Sequence, residues 1–103
     1  MYVGTDFSEV NPGETIPLTL DFVNDVASGI IISSVGWSSG VVTGFDPNGT
    51  SIATGSPLKD GTKTTQFFHS FLAGVKYRVT ATATMSDGSI MILYSHVPCR
   101  SQA

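Results

Sequence analysis

The stretch FLAGVKYRVTATATMSDGSIMILYSH, residues 71–96, alternates apolar and polar side chains almost without a break on both sides of Asp87-Gly88. Alternation over this length predicts half-buried strands, because successive side chains of a strand point to opposite faces. It reads as a long strand over residues 75–85, a turn at Asp87-Gly88, and a last strand over residues 89–97. In the long strand Tyr77, Val79, Ala81, Ala83 and Met85 form the inward face. Lys76, Arg78, Thr80, Thr82 and Thr84 face water.

The same reading extends upstream. In ETIPLTLDF, residues 14–22, Ile16, Leu18, Leu20 and Phe22 share one face, and Thr15, Pro17, Thr19 and Asp21 the other. Pro17 lacks a ladder donor, so it belongs near the strand start or on a sheet edge. An earlier strand is expected over residues 2–10, closed by the turn Asn11-Pro12-Gly13. After loop signals at Asn24-Asp25 and Ser28-Gly29, IIISSVGW carries a further strand ending at Trp37, with Gly36 marking a bulge or a close backbone approach. Residues 38–62 break into short pieces: a strand over 41–45, a turn at Asp46-Pro47-Asn48-Gly49, a shorter strand over 51–54, and a turn at Asp60-Gly61. KTTQFFHSFL, residues 63–72, supplies the strand before the alternating pair. No helical period appears. Turn signals about every ten residues, between segments rich in Thr, Ser, Val and Ile, predict an all-β sandwich in one domain, residues 1–103, with seven to nine strands.

Leu72, Gly74 and Tyr77 sharpen that expectation. In Ig-like Greek-key sandwiches a tyrosine near the start of the sixth strand sends its hydroxyl back to the backbone a few residues upstream and pins the crossover between sheets. Here Leu72 would plug the core, Gly74 would turn the chain, and Tyr77 would begin the inward face. The core cysteine of disulfide-bearing Ig domains falls two residues later, where this chain has Val79. Cys99 is the only cysteine, so no internal disulfide forms and apolar packing has to hold the sheets together. The small Ala81 and Ala83 leave room for a large neighbour, and Trp37 is the obvious one to fill the core there.

At 41% hydrophobic and 13% charged, with five basic residues and a net charge of -3, the chain lacks the clustered Lys and Arg that a phosphate backbone demands. Nucleic acid is therefore not expected as a partner. Nor is a membrane, since no apolar run approaches ~20 residues. The amino-terminal MYVGTDFSEV shows no secretory signal pattern.

The eight carboxylates fall in turns or on outward strand faces. His69 and His96 have no companions at metal-ligand spacing, and there is no G-x-S-x-G elbow. Cys99 and His96, three apart on a strand, point to opposite faces. Asn48-Gly49-Thr50 matches a glycosylation acceptor, yet its physical content is an Asn-Gly turn. No catalytic residue, metal or cofactor is expected, which leaves a binding or structural module.

The run LAGVKYRVTATATMSDGSIMILYSHVPC, residues 72–99, together with VNPGETIPLTLDF and GFDPNG, resembles the fiber-tail adaptor family of tailed bacteriophages, small virion proteins with a single Ig-like domain. The resemblance spans residues 10–99. Its landmarks here are Pro12, Gly13, Trp37, Gly74, Tyr77, Asp87, Gly88, His96, Pro98 and Cys99. It implies a structural virion component, made in the host cytoplasm, that joins tail or baseplate to tail fibers and is present in several copies. The same fold would also suit a capsid-decorating domain or a carbohydrate-binding module at the host surface, although Phe45 is the one aromatic destined for a loop.

The last strand has no polar face. If Asp87-Gly88 forms a two-residue turn, Ile90, Ile92 and Tyr94 point inward and Met91, Leu93 and Val97 outward; a three-residue loop with a bulge exchanges the two sets. Either way one apolar row faces away from the core. In the first register Met91, Leu93 and Val97 are the expected partner interface.

Overall fold

The structure, a computed structural model, describes residue 7, residues 10–23 and residues 26–99. Among these residues there is no helix and there are six strands: β1 (Ile16–Asp21), β2 (Ile32–Thr43), β3 (Ala53–Asp60), β4 (Lys63–Phe68), β5 (Lys76–Met85) and β6 (Ile90–Pro98). They form two antiparallel three-stranded sheets, ordered β1-β4-β3 and β2-β5-β6. The chain crosses between sheets after β1, β2 and β4, which is the Greek-key path of an Ig-like β-sandwich. Phe7 N donates to His96 O at 2.9 Å and Val10 pairs in parallel with Cys99, so Phe7 and Val10 lie beside β6 and its end. The expected seven to nine strands become six among the described residues. Most of the expected first strand, residues 2–10, and the Asn24-Asp25 turn lie outside them.

Over residues 36–60 the structure corrects the expectation. β2 does not end at Trp37; it continues through Thr43 because residues 38–43 keep their ladder with β5. Irregularities between Ile32 and Ser34 and between Val41 and Thr43 absorb one extra residue each. Gly36 lies in the regular part of the ladder, opposite Thr82, with open space where a Cβ would stand, so it marks neither a bulge nor a close approach. Of the expected short strand over 51–54, only Ala53 and Thr54 are in a strand, the start of the longer β3. Gly55, at φ 76°, and Pro57 interrupt its alternation, and its ladder with β4 shifts register between Thr54 and Leu58.

That shift frees backbone carbonyls, and the inward face of β4 supplies their partners. Thr64, Gln66 and Phe68 point into the sandwich, the first two being its unusual polar members. Gln66 Nε2 donates to Thr54 O at 2.8 Å and to Gly55 O at 3.2 Å. Thr64 Oγ1 donates to Leu58 O at 2.9 Å and accepts Trp37 Nε1 from the opposite sheet, also at 2.9 Å. Buried polar groups persist only when paired in this way.

Trp37 is half-buried and stands opposite Ala81, as the small side chains of β5 predict. Its ring edge meets Phe68 at 5.7 Å between centroids, and it touches both apolar clusters of the core. One cluster gathers Leu18, Ile52, Phe68, Phe71, Val75, Tyr77, Val79 and Val97; the other gathers Leu20, Phe22, Ile32, Ala83, Met85 and Leu93.

The tyrosine corner forms with one correction. Tyr77 is fully buried, and its hydroxyl accepts the Leu72 N–H at 2.8 Å. Gly74, at φ 79°, turns the chain beneath it. Leu72, however, is 45% exposed, and Phe71 is the residue that plugs the core, with its ring edge-on to Tyr77 at 5.4 Å. The backbone N–H that bonds Tyr77 faces inward at residue 72, so the side chain there is directed away and its predecessor enters the core.

The Tyr77 hydroxyl also donates to Asp46 Oδ2 at 2.6 Å, and Asp46 Oδ1 accepts Asn48 N at 2.9 Å. Asp46 is thus a structural partner and not merely a solvated turn former. A Cβ at Gly49 would lie 2.5 Å from Val41 Cγ2, so any larger residue in this loop would have to displace the Val41 side chain.

Thr64→Val keeps the shape of the side chain but strands Trp37 Nε1 and Leu58 O, and should cost about 1–3 kcal/mol in urea unfolding. Tyr77→Phe should cost on the order of 2 kcal/mol at neutral pH by the same measurement. Burial first, and then the Asp46 carboxylate, push the Tyr77 hydroxyl well above the usual tyrosine range. A raised folded value stabilises below the unfolded pKa of ~10 and fades as pH rises past it, so the gap between wild type and Tyr77→Phe should shrink above pH ~10.

Candidate interaction surface

The hairpin between β5 and β6 decides which apolar row meets solvent. Its loop is the three residues Ser86-Asp87-Gly88, with Met85 N donating to Ser89 O at 2.8 Å and Gly88 N donating to Met85 O at 3.0 Å. Gly88 takes φ 90°, the left-handed position that a three-residue loop with a bulge places there. Asp87 Oδ1 accepts both Ser89 N at 3.0 Å and Ser89 Oγ at 2.6 Å, and these bonds hold its carboxyl below the usual carboxylate range.

In the resulting register Thr84 stands opposite Ile90, Thr82 opposite Ile92, and Thr80 opposite Tyr94. The expected interface of Met91, Leu93 and Val97 is therefore turned inward. Leu93 and Val97 are buried, and Met91 packs against the core cluster. The outward row is Ile90, 66% exposed, Ile92, 49% exposed, then Tyr94 and His96. The physical reason is the length of the loop: one residue more than the two-residue turn exchanges the faces of the whole strand.

This row does not stand alone. The Arg78 guanidinium lies 4.8 Å over the Tyr94 ring, and Tyr94 and His96 have ring centroids 6.0 Å apart. A cation held over an aromatic face beside two exposed isoleucines makes an amphipathic strip along the outer face of β5 and β6. Of the residues singled out from sequence, the structure brings Leu72 and Tyr77 together through a hydrogen bond, and Gly74 N donates to Cys99 O at 3.0 Å. Trp37 faces the core on another strand. Arg78 and Tyr94 were missed as a pair because they are neighbours only across the ladder; once the loop length is known, the register that sets Arg78 opposite His96 and Thr80 opposite Tyr94 makes them diagonal neighbours.

The remaining chemistry is sparse. Among the described residues no three His, Cys, Asp or Glu side chains gather within metal-binding reach. Ser70 Oγ and His69 Nδ1 are 2.8 Å apart, but they are sequence neighbours on an exposed loop. The Cys99 thiol is buried, and burial first and then the nearby Glu14 charge push its pKa up, which disfavours the thiolate. Phe45 stands 81% exposed on the loop that Asp46 ties to Tyr77.

No family model matches the chain, and no curated protein matches it.

Substituting Gly88 by Val forces a β-branched residue into the left-handed region and should lower the thermal midpoint measurably, since that conformation costs roughly 1–2 kcal/mol. Asp87→Ala should lose the part of the stability that depends on the ionised carboxylate. A depressed folded pKa stabilises above the unfolded value and fades as pH falls, so wild type and variant should converge in thermal melts under acid conditions.

Proposed function

We propose that the protein is a structural adaptor of a tailed-bacteriophage virion, joining tail or baseplate to tail fibers by protein–protein contacts. The observation that carries this reading is the solvent-facing strip of Ile90, Ile92 and Tyr94 with Arg78 stacked upon it. Tyrosine and arginine beside apolar side chains are the residue types that concentrate binding energy at protein interfaces. The resemblance over residues 10–99 supplies the virion context, and the outward strip supplies a surface suited to another virion protein.

The carbohydrate-binding alternative has Phe45 in its favour, as an exposed aromatic platform. Its polar neighbours weaken that alternative, because both Asp46 carboxylate oxygens are already engaged by Tyr77 and Asn48. A sugar hydroxyl would have to compete with bonds that hold the loop together.

The test is incorporation into virions. Ile92→Lys should leave far-UV circular dichroism and thermal stability unchanged, because Ile92 is half exposed, yet reduce the amount of protein recovered with particles at least tenfold. Wild-type protein should copurify with tails when virions are dissociated. Recovery with capsids, or undiminished incorporation of the folded variant, would overturn this assignment.

A further inference from the structure

The two sheets have four edges, and three of them are guarded. β1 carries Pro17 within a strand of 6 residues. β3 carries Pro57, Lys59 and Asp60 and a break in its ladder. Along β6, Phe7 and Val10 donate to His96 O and Pro98 O. Guarding of this kind is how β-proteins prevent edge-to-edge pairing.

The edge of β2 has none of it. ISSVGWSSGVVT runs 12 residues without a charge or a proline. Its ladder is with β5 alone; β3, the strand of the other sheet that comes nearest, makes no ladder with it. Among the described residues the only backbone bond from this strand to anything but β5 is Ile32 N to Gly61 O at 2.9 Å. From Ser33 to Thr43, therefore, the backbone groups directed away from β5 have no backbone partner among the described residues. Gly36 and Gly40 have open space where side chains would be.

We infer that β2 is a pairing edge for a second copy of this chain, joined antiparallel about a two-fold axis near Gly36 and Trp37. Two features favour a copy over a foreign strand. The edge offers no charge by which an acidic or basic partner could be selected, while an uncharged strand can oppose itself without like-charge repulsion. Its two ends are also complementary. Ile31 is 50% exposed at one end, and Val41 and Val42 are 38% and 43% exposed at the other. An antiparallel two-fold brings the Ile31 end of each copy beside the Val41-Val42 end of its partner. The product is a continuous six-stranded sheet across the dimer, with the Ile90, Ile92 and Tyr94 strips of both copies on its outer face. This inference rests on the β2 edge alone and does not require the adaptor reading.

Sedimentation velocity of the full chain over a concentration series tests it, with Ser38→Lys and Gly36→Lys as edge variants. Both positions are exposed, and Gly36 has a φ open to any side chain. Wild type should shift from monomer to dimer with concentration, and each lysine should weaken association about tenfold or more while the circular dichroism spectrum is unchanged. As a second readout, Ser38→Cys treated with a short bis-maleimide should be captured as a dimer, and Thr19→Cys, on the exposed face of the other sheet, should not. Buried Cys99 leaves little background in that experiment. A wild type that stays monomeric up to ~1 mM, or a dimer that survives both lysines, would overturn the inference. So would a dimer abolished by Ile92→Lys, which would place the contact on the outer strip instead.

Discussion

A buried hydroxyl governs the architecture of one end of this sandwich. Tyr77 has no exposed surface, so its oxygen must find partners inside the protein or forfeit the hydration it loses. It finds two, the Leu72 N–H before β5 and the Asp46 carboxylate in the loop between β2 and β3. Satisfying one atom thereby pins two crossover connections to the same strand. The exposed Leu72 and the buried Phe71 take their places around this requirement.

The middle of the sandwich applies the same rule to different groups. Without a disulfide, the sheets are linked through Trp37, whose indole N–H crosses from β2 to Thr64 on β4. Thr64 passes the link on to Leu58 O, and Gln66 closes the carbonyls left open by the irregular β3 ladder. The two buried polar residues on the inward face of β4 are thus the complement of a broken ladder, and they give the packing a defined register that apolar contacts alone do not impose.

Surface chemistry follows from the other end of the molecule. The three-residue loop Ser86-Asp87-Gly88 fixes the pairing of β6 on β5, and with it the exposure of Ile90 and Ile92 and the stacking of Arg78 on Tyr94. The unguarded edge of β2 and this strip belong to the same sheet, so a dimer formed through the edge would present the two strips on one face, one near each outer edge of the joined sheet. Both surfaces lie on the β2-β5-β6 layer, while the outer face of β1-β4-β3 bears prolines and charges near its edges.

The sequence by itself determined the all-β sandwich, the inward faces of β1 and β5, the corner at Tyr77 and the pairing of Trp37 with small residues, because period-two alternation and turn residues are local properties of the chain. It also determined that β6 must expose one apolar row. Which row was beyond it, since Asp87-Gly88 suits both a two-residue turn and a three-residue loop, and the difference between them is settled by hydrogen bonds across the hairpin. Residues 38–62 were illegible for a related reason: β2 runs on through Ser38, Ser39 and Gly40 because β5 is there to pair with them, and no local propensity for strand marks those residues. Asp46, Thr64 and Gln66 looked like ordinary polar residues of turns and strands. Only the tertiary structure made them structural, by burying a tyrosine hydroxyl, an indole N–H and several carbonyls within their reach.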